Sequence, residues 1–126
     1  LYINMFDEDL PVVESLKVKK GESALLMDIR EKVMSTRPVV LFAQGNHPTV
    51  AEFEDVTRVV TSGPEETQGA VRVFVPAGYT VATVSAVDGR GKDILMKQAF
   101  DETSRTLFIV YQNNIEKCIV DVTYQQ

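Results

Sequence analysis

The chain has 126 residues, the size of one ordinary domain, and 44% of them are hydrophobic, enough for a core without disulfides or a structural metal. The net charge is −5 and the 13 lysine and arginine residues are scattered, so no basic face for nucleic acid is predicted. We therefore expect one domain over residues 1–126 and no nucleic-acid partner.

We expect no targeting signal in residues 1–6. Residues 1–6 are too short and too polar for a signal peptide or a membrane span, and the first residue is Leu1 rather than Met. We interpret this start as a processing boundary, so that the domain is cut from a larger protein. No later stretch approaches roughly 18 continuous apolar residues, so we expect no membrane span.

Residues 23–34 fit two kinds of secondary structure. Leu25, Ile29 and Val33 recur at helical spacing, and Ser23 is available as an N-cap. The alternative is a short buried strand within residues 24–29, followed by an exposed loop over residues 30–37. We favour the strand because it agrees with the strand patterns in the rest of the chain.

After this segment, short β-branched and aromatic runs are separated by Gly, Pro and Asn clusters, which is typical of a β-sheet. The continuous apolar run 38–43 predicts a central strand covered on both faces, and residues 44–48 predict a turn. Residues 50–53 and 57–61 predict a hairpin, which ends where Gly63-Pro64 interrupts the ladder.

The following strands are predicted from alternation of side chains along the chain. Residues 71–75 and 80–87 alternate and are joined by a turn at Pro76-Ala77-Gly78. Asp88-Gly89-Arg90-Gly91 is the strongest hairpin signal, because Asp-Gly tolerates the positive φ angles of a type I′ turn. This turn predicts a hairpin with the strand over residues 94–99.

Two more strands, over residues 107–111 and 118–124, complete the pattern. Eight to ten strands at a spacing of about ten residues predict an all-β, antiparallel β-sandwich, Ig-like or jelly-roll-like. Cys118 is the only cysteine and lies in the last strand, so we expect no internal disulfide and a buried, inert thiol.

No group of residues indicates an active site, and we predict no catalytic residue, no metal ligand and no cofactor. His47 is the only histidine, and no nucleophile motif accompanies it. The acidic residues near Glu52, at 65–66 and at 101–102 are predicted to be solvated charges rather than a glycosidase pair. The acidic run 7–9 offers oxygen ligands for calcium, but a solvated turn is the favoured interpretation.

Four residues are candidates for binding a glycan. Sandwich domains that bind sugars use aromatic faces together with amides and carboxylates. Tyr79 and Tyr111 supply rings, and Asn113 and Asn114 supply amides close to Tyr111 in sequence. Against this, the chain has no tryptophan, and every phenylalanine lies in a run that predicts core, so packing is the favoured role for the aromatic residues.

The order of the segments resembles the C-terminal β-sandwich domains appended to large bacterial glycoside hydrolases. Four segments carry the resemblance: 21–28 (GESALLMD), 38–41 (PVVL), 73–78 (VFVPAG) and 104–113 (SRTLFIVYQN). The resemblance implies an exported protein, extracellular or periplasmic, that processes carbohydrate with an active site in another domain. It also favours the strand within residues 24–29.

Three hypotheses for function follow. The first is a non-catalytic accessory domain that packs against and supports a neighbouring domain of the same polypeptide. The second is a carbohydrate-binding module that uses surface tyrosines and amides, with a glycan as its partner. A small enzyme ranks last. An exposed set of tyrosines would favour the second hypothesis, and an exposed apolar patch would favour the first.

Overall fold

The computed structural model describes residues 2–4, 12–13 and 26–126. The chain forms two compact units, residues 1–34 and residues 35–126. A single domain over residues 1–126 stays a prediction. The acidic run 7–9, proposed above as an alternative calcium site, lies outside the described residues.

The first unit contains a small antiparallel sheet. Its strands are β1 (Tyr2–Asn4), β2 (Val12–Val13) and β3 (Leu26–Asp28), in the order β2-β1-β3. The buried side chain of Ile3 lies on the central strand, opposite Val12 and Met27. The predicted strand within residues 24–29 is therefore confirmed at Leu26–Asp28, while residues 23–25 lie outside the described part.

The predicted loop after this strand is mostly exposed and contains one short 3₁₀ helix, Lys32–Met34. Within this helix, Val33 N donates a backbone hydrogen bond to Ile29 O at 3.1 Å, which ties the helix to the residue after β3. A long helix over residues 23–34, the rival prediction, does not form in its described portion, residues 26–34.

The second unit is a β-sandwich, as predicted. Its strands form two antiparallel sheets of four strands each, in the orders β4-β7-β10-β9 and β5-β6-β11-β8. The strands are β4 (Val39–Ala43), β5 (Asn46–Glu52), β6 (Val56–Ser62), β7 (Gln68–Phe74), β8 (Thr80–Asp88), β9 (Met96–Asp101), β10 (Thr106–Gln112) and β11 (Cys118–Gln125).

The core lies between the two sheets and follows the alternation seen in the sequence. In the first sheet, Leu107, Ile109 and Tyr111 of β10 point inward and are at most 2% exposed. In the second sheet, every other residue of β11, from Cys118 to Tyr124, does the same. Strand alternation places these side chains on one face, so each sheet contributes one apolar surface to a shared core.

We name the two ends of the sandwich by residues in their connections. The connections 63–67, 89–95 and 113–117 form the Asn113 end. The opposite end, which we call the Tyr79 end, is formed by residues 53–55, 75–79 and 102–105. A seven-residue strand such as β10 spans roughly 20 Å, so the two ends lie about that far apart.

The prediction that residues 38–43 form a central strand is wrong, because β4 lies at the edge of its sheet. Its apolar run correctly indicates burial, since Val40 and Leu41 are 7% and 1% exposed. However, burial of both faces does not determine which strands flank a strand. A register shift between Val40 and Phe42 also bends β4 away from regular pairing with β7.

The turn predicted over residues 44–48 is shorter than expected, because β5 already begins at Asn46. The chain passes from one sheet to the other at Gln44 and Gly45. Gly45 has a φ angle of +146°, and a Cβ there would overlap Thr61 Oγ1, so only glycine fits this crossing. The predicted hairpin of β5 and β6 is confirmed.

The turn at Asp88-Gly89-Arg90-Gly91 forms, but the hairpin that it begins is brief. Asp88 pairs with Lys92 through a backbone hydrogen bond, and Ile94 N donates to Ala86 O. After these bonds the chain crosses to the other sheet, where β9 pairs with β10 instead of β8. The prediction of a full hairpin between these strands is therefore wrong.

The part of the chain that the structure describes contains no helix of the length and apolarity that crossing a bilayer requires.

Candidate functional site

Tyr111, one of the predicted glycan contacts, is a core residue. Its side chain is 1% exposed, and its hydroxyl donates to the backbone oxygen of Gln44 at 3.2 Å. Burial raises the pKa of its phenol above the ordinary value. With its ring enclosed, Tyr111 presents no flat face on which a sugar ring could stack.

Tyr79 lies at the other end of the sandwich and is also buried, with 7% of its surface exposed. Its ring meets that of Tyr124 edge to face, with centroids 6.5 Å apart. Its hydroxyl accepts a hydrogen bond from Gln126 Nε2 at 2.8 Å. Tyr79 and Tyr111 are therefore not brought together into one surface.

Asn113 and Asn114 tie connections together at the Asn113 end. The Asn113 amide Nδ2 donates to Thr67 Oγ1 at 2.9 Å, which links two neighbouring loops. The Asn114 Oδ1 accepts from the backbone N–H groups of Glu116 and Lys117, at 2.9 and 3.3 Å. Both amides are half-buried. The structure thus gives these four residues structural roles, and whether they bind a glycan stays a prediction.

Cys118, at the start of β11, is buried with 0% of its surface exposed. Its Sγ accepts a hydrogen bond from Asn114 N at 3.0 Å. Burial is the main cause that raises the pKa of the thiol above its ordinary value. The thiol is therefore buried, as predicted.

The histidine and the first acidic cluster are separated in space. His47 lies near the beginning of β5, with a φ angle of +47°, and Glu52 is its last residue. The two residues therefore lie toward opposite ends of β5. Among the described residues, no three His, Cys, Asp or Glu side chains form a group that could hold a metal ion.

The most promising site is a groove along one side of the sandwich, and Tyr79 is the one predicted glycan contact that lines it. Its volume is about 530 Å³, within the range of about 300–1,000 Å³ that is usual for ligand sites. It lies between β8 and β9, the edge strands of the two sheets, and we call it the β8–β9 groove. On β8 it covers the five residues Thr80–Val84, roughly 16 Å, and on β9 it is lined by Gln98 and Phe100.

The floor of the groove is apolar. Val81, Val84 and Leu107 line it, and their side chains point toward the core between the sheets. Phe100 lies directly opposite Leu107 in the pairing of β9 with β10, so it faces the same way. Because β9 is an edge strand, the Phe100 ring is left 38% exposed at the groove wall.

Arg105 is fixed at the Tyr79 end of the groove by backbone carbonyls. Its Nε donates to Val75 O at 3.1 Å, and its Nη2 donates to Pro76 O and Tyr79 O at 3.3 and 2.9 Å. The guanidinium carbon lies 5.1 Å from the centroid of the Phe100 ring, a cation–π contact. Arg105 is therefore positioned before any ligand arrives.

The turn that carries Arg105 is itself ordered. Ser104 Oγ donates to Asp101 Oδ2 at 2.8 Å, and this bond is the main cause that holds the pKa of the Asp101 carboxyl below its ordinary value. The backbone N–H of Thr103 donates to the same carboxylate at 3.1 Å. Arg105 then takes a φ angle of +56°, in the left-handed region, which directs the chain into β10.

Polar side chains complete the lining of the groove. Gln98 faces the groove because it is opposite Ile109 in the pairing of β9 with β10. Glu102 and Thr83 also line it, and all three side chains are exposed. Together with Arg105 they offer both hydrogen-bond donors and acceptors, and the charges of Arg105 and Glu102 cancel.

Apart from Tyr79, sequence reasoning missed the residues of this groove, because it placed every phenylalanine in the core. The inward parity of Phe100 and Gln98 was visible in the alternation of residues 96–101. The edge position of β9, which leaves that inward face open, was not visible because it depends on pairing with distant strands. In the turn that carries Arg105, the sequence analysis predicts only that residues 101–102 are solvated charges.

Comparison with known proteins adds no relative. The resemblance to accessory domains of glycoside hydrolases stays a prediction, and the site is argued from geometry alone. The chain matches no family model, no curated protein and no solved structure.

Proposed function

We propose that this chain is a non-catalytic accessory β-sandwich domain of an exported carbohydrate-processing protein, and that it packs against a neighbouring domain of the same polypeptide. The observation that carries this proposal is a pair of large apolar side chains at the Asn113 end. Leu95 is 79% exposed and Ile115 is 65% exposed. A contiguous apolar surface is typical of interaction sites, and a neighbouring domain that packs on this end would cover both side chains.

The backbone that carries these two side chains is ordered. Gln112 N donates to Leu95 O at 2.9 Å, which ties the 89–95 connection to β10. Asn114 holds the turn that contains Ile115. Its Oδ1 accepts from the backbone N–H groups of Glu116 and Lys117, and its backbone oxygen accepts from Gly63 N. Covering Leu95 and Ile115 with a neighbouring domain would contribute about 1.5–3 kcal/mol for each side chain.

Calorimetry of the natural polypeptide that contains this chain tests the proposal. We expect the sandwich to unfold together with a neighbouring domain, and Leu95→Asp with Ile115→Asp to separate the two transitions. Phe53→Asp is the matched control, because Phe53 is 64% exposed but lies at the Tyr79 end. A natural polypeptide with no further domain, or transitions that are unaffected by the paired substitution, would overturn it.

Carbohydrate binding by the domain itself is the second candidate function, and the β8–β9 groove favours it. An apolar floor with Phe100 at its wall suits the C–H faces of a sugar ring, and Gln98, Glu102 and Arg105 suit its hydroxyls. The test is a titration of the 126-residue chain with soluble oligosaccharides, and the absence of any binding would reject this function.

A further inference from the structure

We propose that the β8–β9 groove binds a neutral oligosaccharide that lies along the seam between the two sheets. This inference rests on the second candidate function and assigns it a site, a class of ligand and a set of contact residues. Of the four predicted glycan contacts, Tyr79 lines this groove, whereas Tyr111, Asn113 and Asn114 do not.

The charges of the lining groups select a neutral ligand. Arg105 contributes one positive charge and Glu102 one negative charge, and the other polar groups of the lining are uncharged amides and hydroxyls. A sugar hydroxyl both donates and accepts, so it can bond a carboxylate and a guanidinium in the same site. An anionic ligand would gain from Arg105 but would be repelled by Glu102.

Arg105 is a prepared donor rather than a mobile surface charge. Its Nε and Nη2 are taken up by three backbone carbonyls, and its Nη1 donates to no oxygen of the described residues. A side chain held in place loses little further rotamer entropy when a ligand binds, so its hydrogen bond contributes more to affinity. The same bonds fix the guanidinium over Phe100.

The seam sets the orientation of the ligand. Near the Asn113 end it is closed by the 89–95 connection, where Ile94 N donates to Ala86 O and Val87 pairs with Asp93. From there the groove runs toward the Tyr79 end between the exposed edges of β8 and β9. A ligand with alternating apolar and hydroxyl faces can follow this course, with its apolar face on Val81 and Val84.

The experiment is an NMR titration of the ¹⁵N-labelled 126-residue chain with four neutral probes, cellotetraose, xylotetraose, mannotetraose and maltotetraose. We expect at least one probe to shift amides of residues 80–84 and 98–105. Phe100→Ala should weaken that probe about tenfold, the loss expected for one buried aromatic contact. Phe53→Ala, at an exposed phenylalanine outside the groove, should leave the affinity unchanged.

A second variant with its own control tests the groove independently, in case Phe100→Ala weakens the packing of the domain. Gln98→Ala removes an exposed amide from the groove, and we expect severalfold weaker binding with unchanged amide shifts elsewhere. Gln68→Ala is its control, because Gln68 is exposed at the start of β7, at the Asn113 end, and does not line the groove. Unchanged affinity in both Phe100→Ala and Gln98→Ala would overturn the proposal.

The other outcomes separate the groove from the function. Shifts confined to residues 113–117 would overturn the groove and leave carbohydrate binding intact. Binding of tetragalacturonate with no binding of the four neutral probes would overturn the neutral class of ligand. If none of these five saccharides shifts any amide, both the groove and the carbohydrate-binding function are rejected, while the accessory role is still decided by calorimetry.

Discussion

Replacing Gly69 with alanine tests how tightly Tyr111 is enclosed. Gly69 of β7 lies directly opposite Tyr111 of β10, and a Cβ added to it would lie 2.6 Å from Tyr111 Oη. The ring is 1% exposed and its hydroxyl is bonded to Gln44 O, so moving the ring breaks this hydrogen bond and its contacts in the core. The substitution therefore forces the ring out of its position in the core.

The expected cost follows from three effects. Overpacking of a closed core costs about 1–3 kcal/mol, and loss of the hydroxyl's hydrogen bond costs about 1 kcal/mol. Alanine recovers about 0.5–1 kcal/mol, because it loses less backbone entropy on folding than glycine. We expect the free energy of unfolding of Gly69→Ala to fall by about 2 kcal/mol, measured by urea denaturation with circular dichroism.

A double-mutant cycle identifies the ring as the cause. In a Tyr111→Leu background the side chain is shorter, so Gly69→Ala should cost less than about 0.5 kcal/mol. The strand pairing and the backbone of Gly69 are the same in both backgrounds. An equal cost with and without the Tyr111 ring, or a stabilised single variant, would refute the reasoning.

Three further predictions concern titratable groups. Burial raises the pKa of Tyr124 to about 12. The neutral phenol therefore stabilises the fold fully below the ordinary pKa of 10.0, and this contribution is lost as the pH rises through 12. The free energy of unfolding should fall by roughly 2 kcal/mol by pH 12, and Tyr124→Phe should flatten that part of the profile of urea midpoint against pH. The Asp88 carboxylate accepts hydrogen bonds from the backbone N–H groups of Lys92 and Arg90, which lower its pKa, so it stabilises the fold above pH 3.8 and this stabilisation is lost as the pH falls. Asp88→Ala should lower the free energy of unfolding at neutral pH and make it depend less on pH in acid. An unchanged dependence of stability on acid pH would contradict this. Cys118 should react with a thiol reagent only after urea unfolding, whereas labelling of the native chain at the rate of a free thiol would show that it is not enclosed.

Strands such as β10 and β11 could be predicted because each carries its own alternation. In β10, Leu107, Ile109 and Tyr111 share one parity and all lie in the core. The partition of strands between the sheets could not be predicted in the same way. The Asp88-Gly89 turn fixes only a few bonds near itself, and the chain then joins β9 to β10 because core packing over the whole sandwich outweighs one local turn.

The candidate site was harder to predict than the fold. Tyr111 has the same parity along β10 as Leu107 and Ile109, and this alternation predicts that it lies in the core. The sequence therefore already argued against Tyr111 as a glycan contact. Phe100 has the inward parity of a core residue as well, yet it is partly exposed because β9 has a partner on one side only among the described residues. Exposure at a sheet edge is set by topology, which alternation does not encode.

The polar character of β9 has two explanations, and the rest of the groove distinguishes them. An edge strand needs charged or inward-facing polar side chains to discourage pairing with other chains, and Lys97 and Gln98 serve that purpose. Protection of an edge does not require a guanidinium held at three carbonyls, as Arg105 is, since a mobile lysine protects equally well. A fixed donor beside an open apolar floor is what a ligand site requires, because it lowers the entropy lost on binding. The fixed guanidinium of Arg105 is therefore the feature that supports our proposal of ligand binding in the groove beyond edge protection.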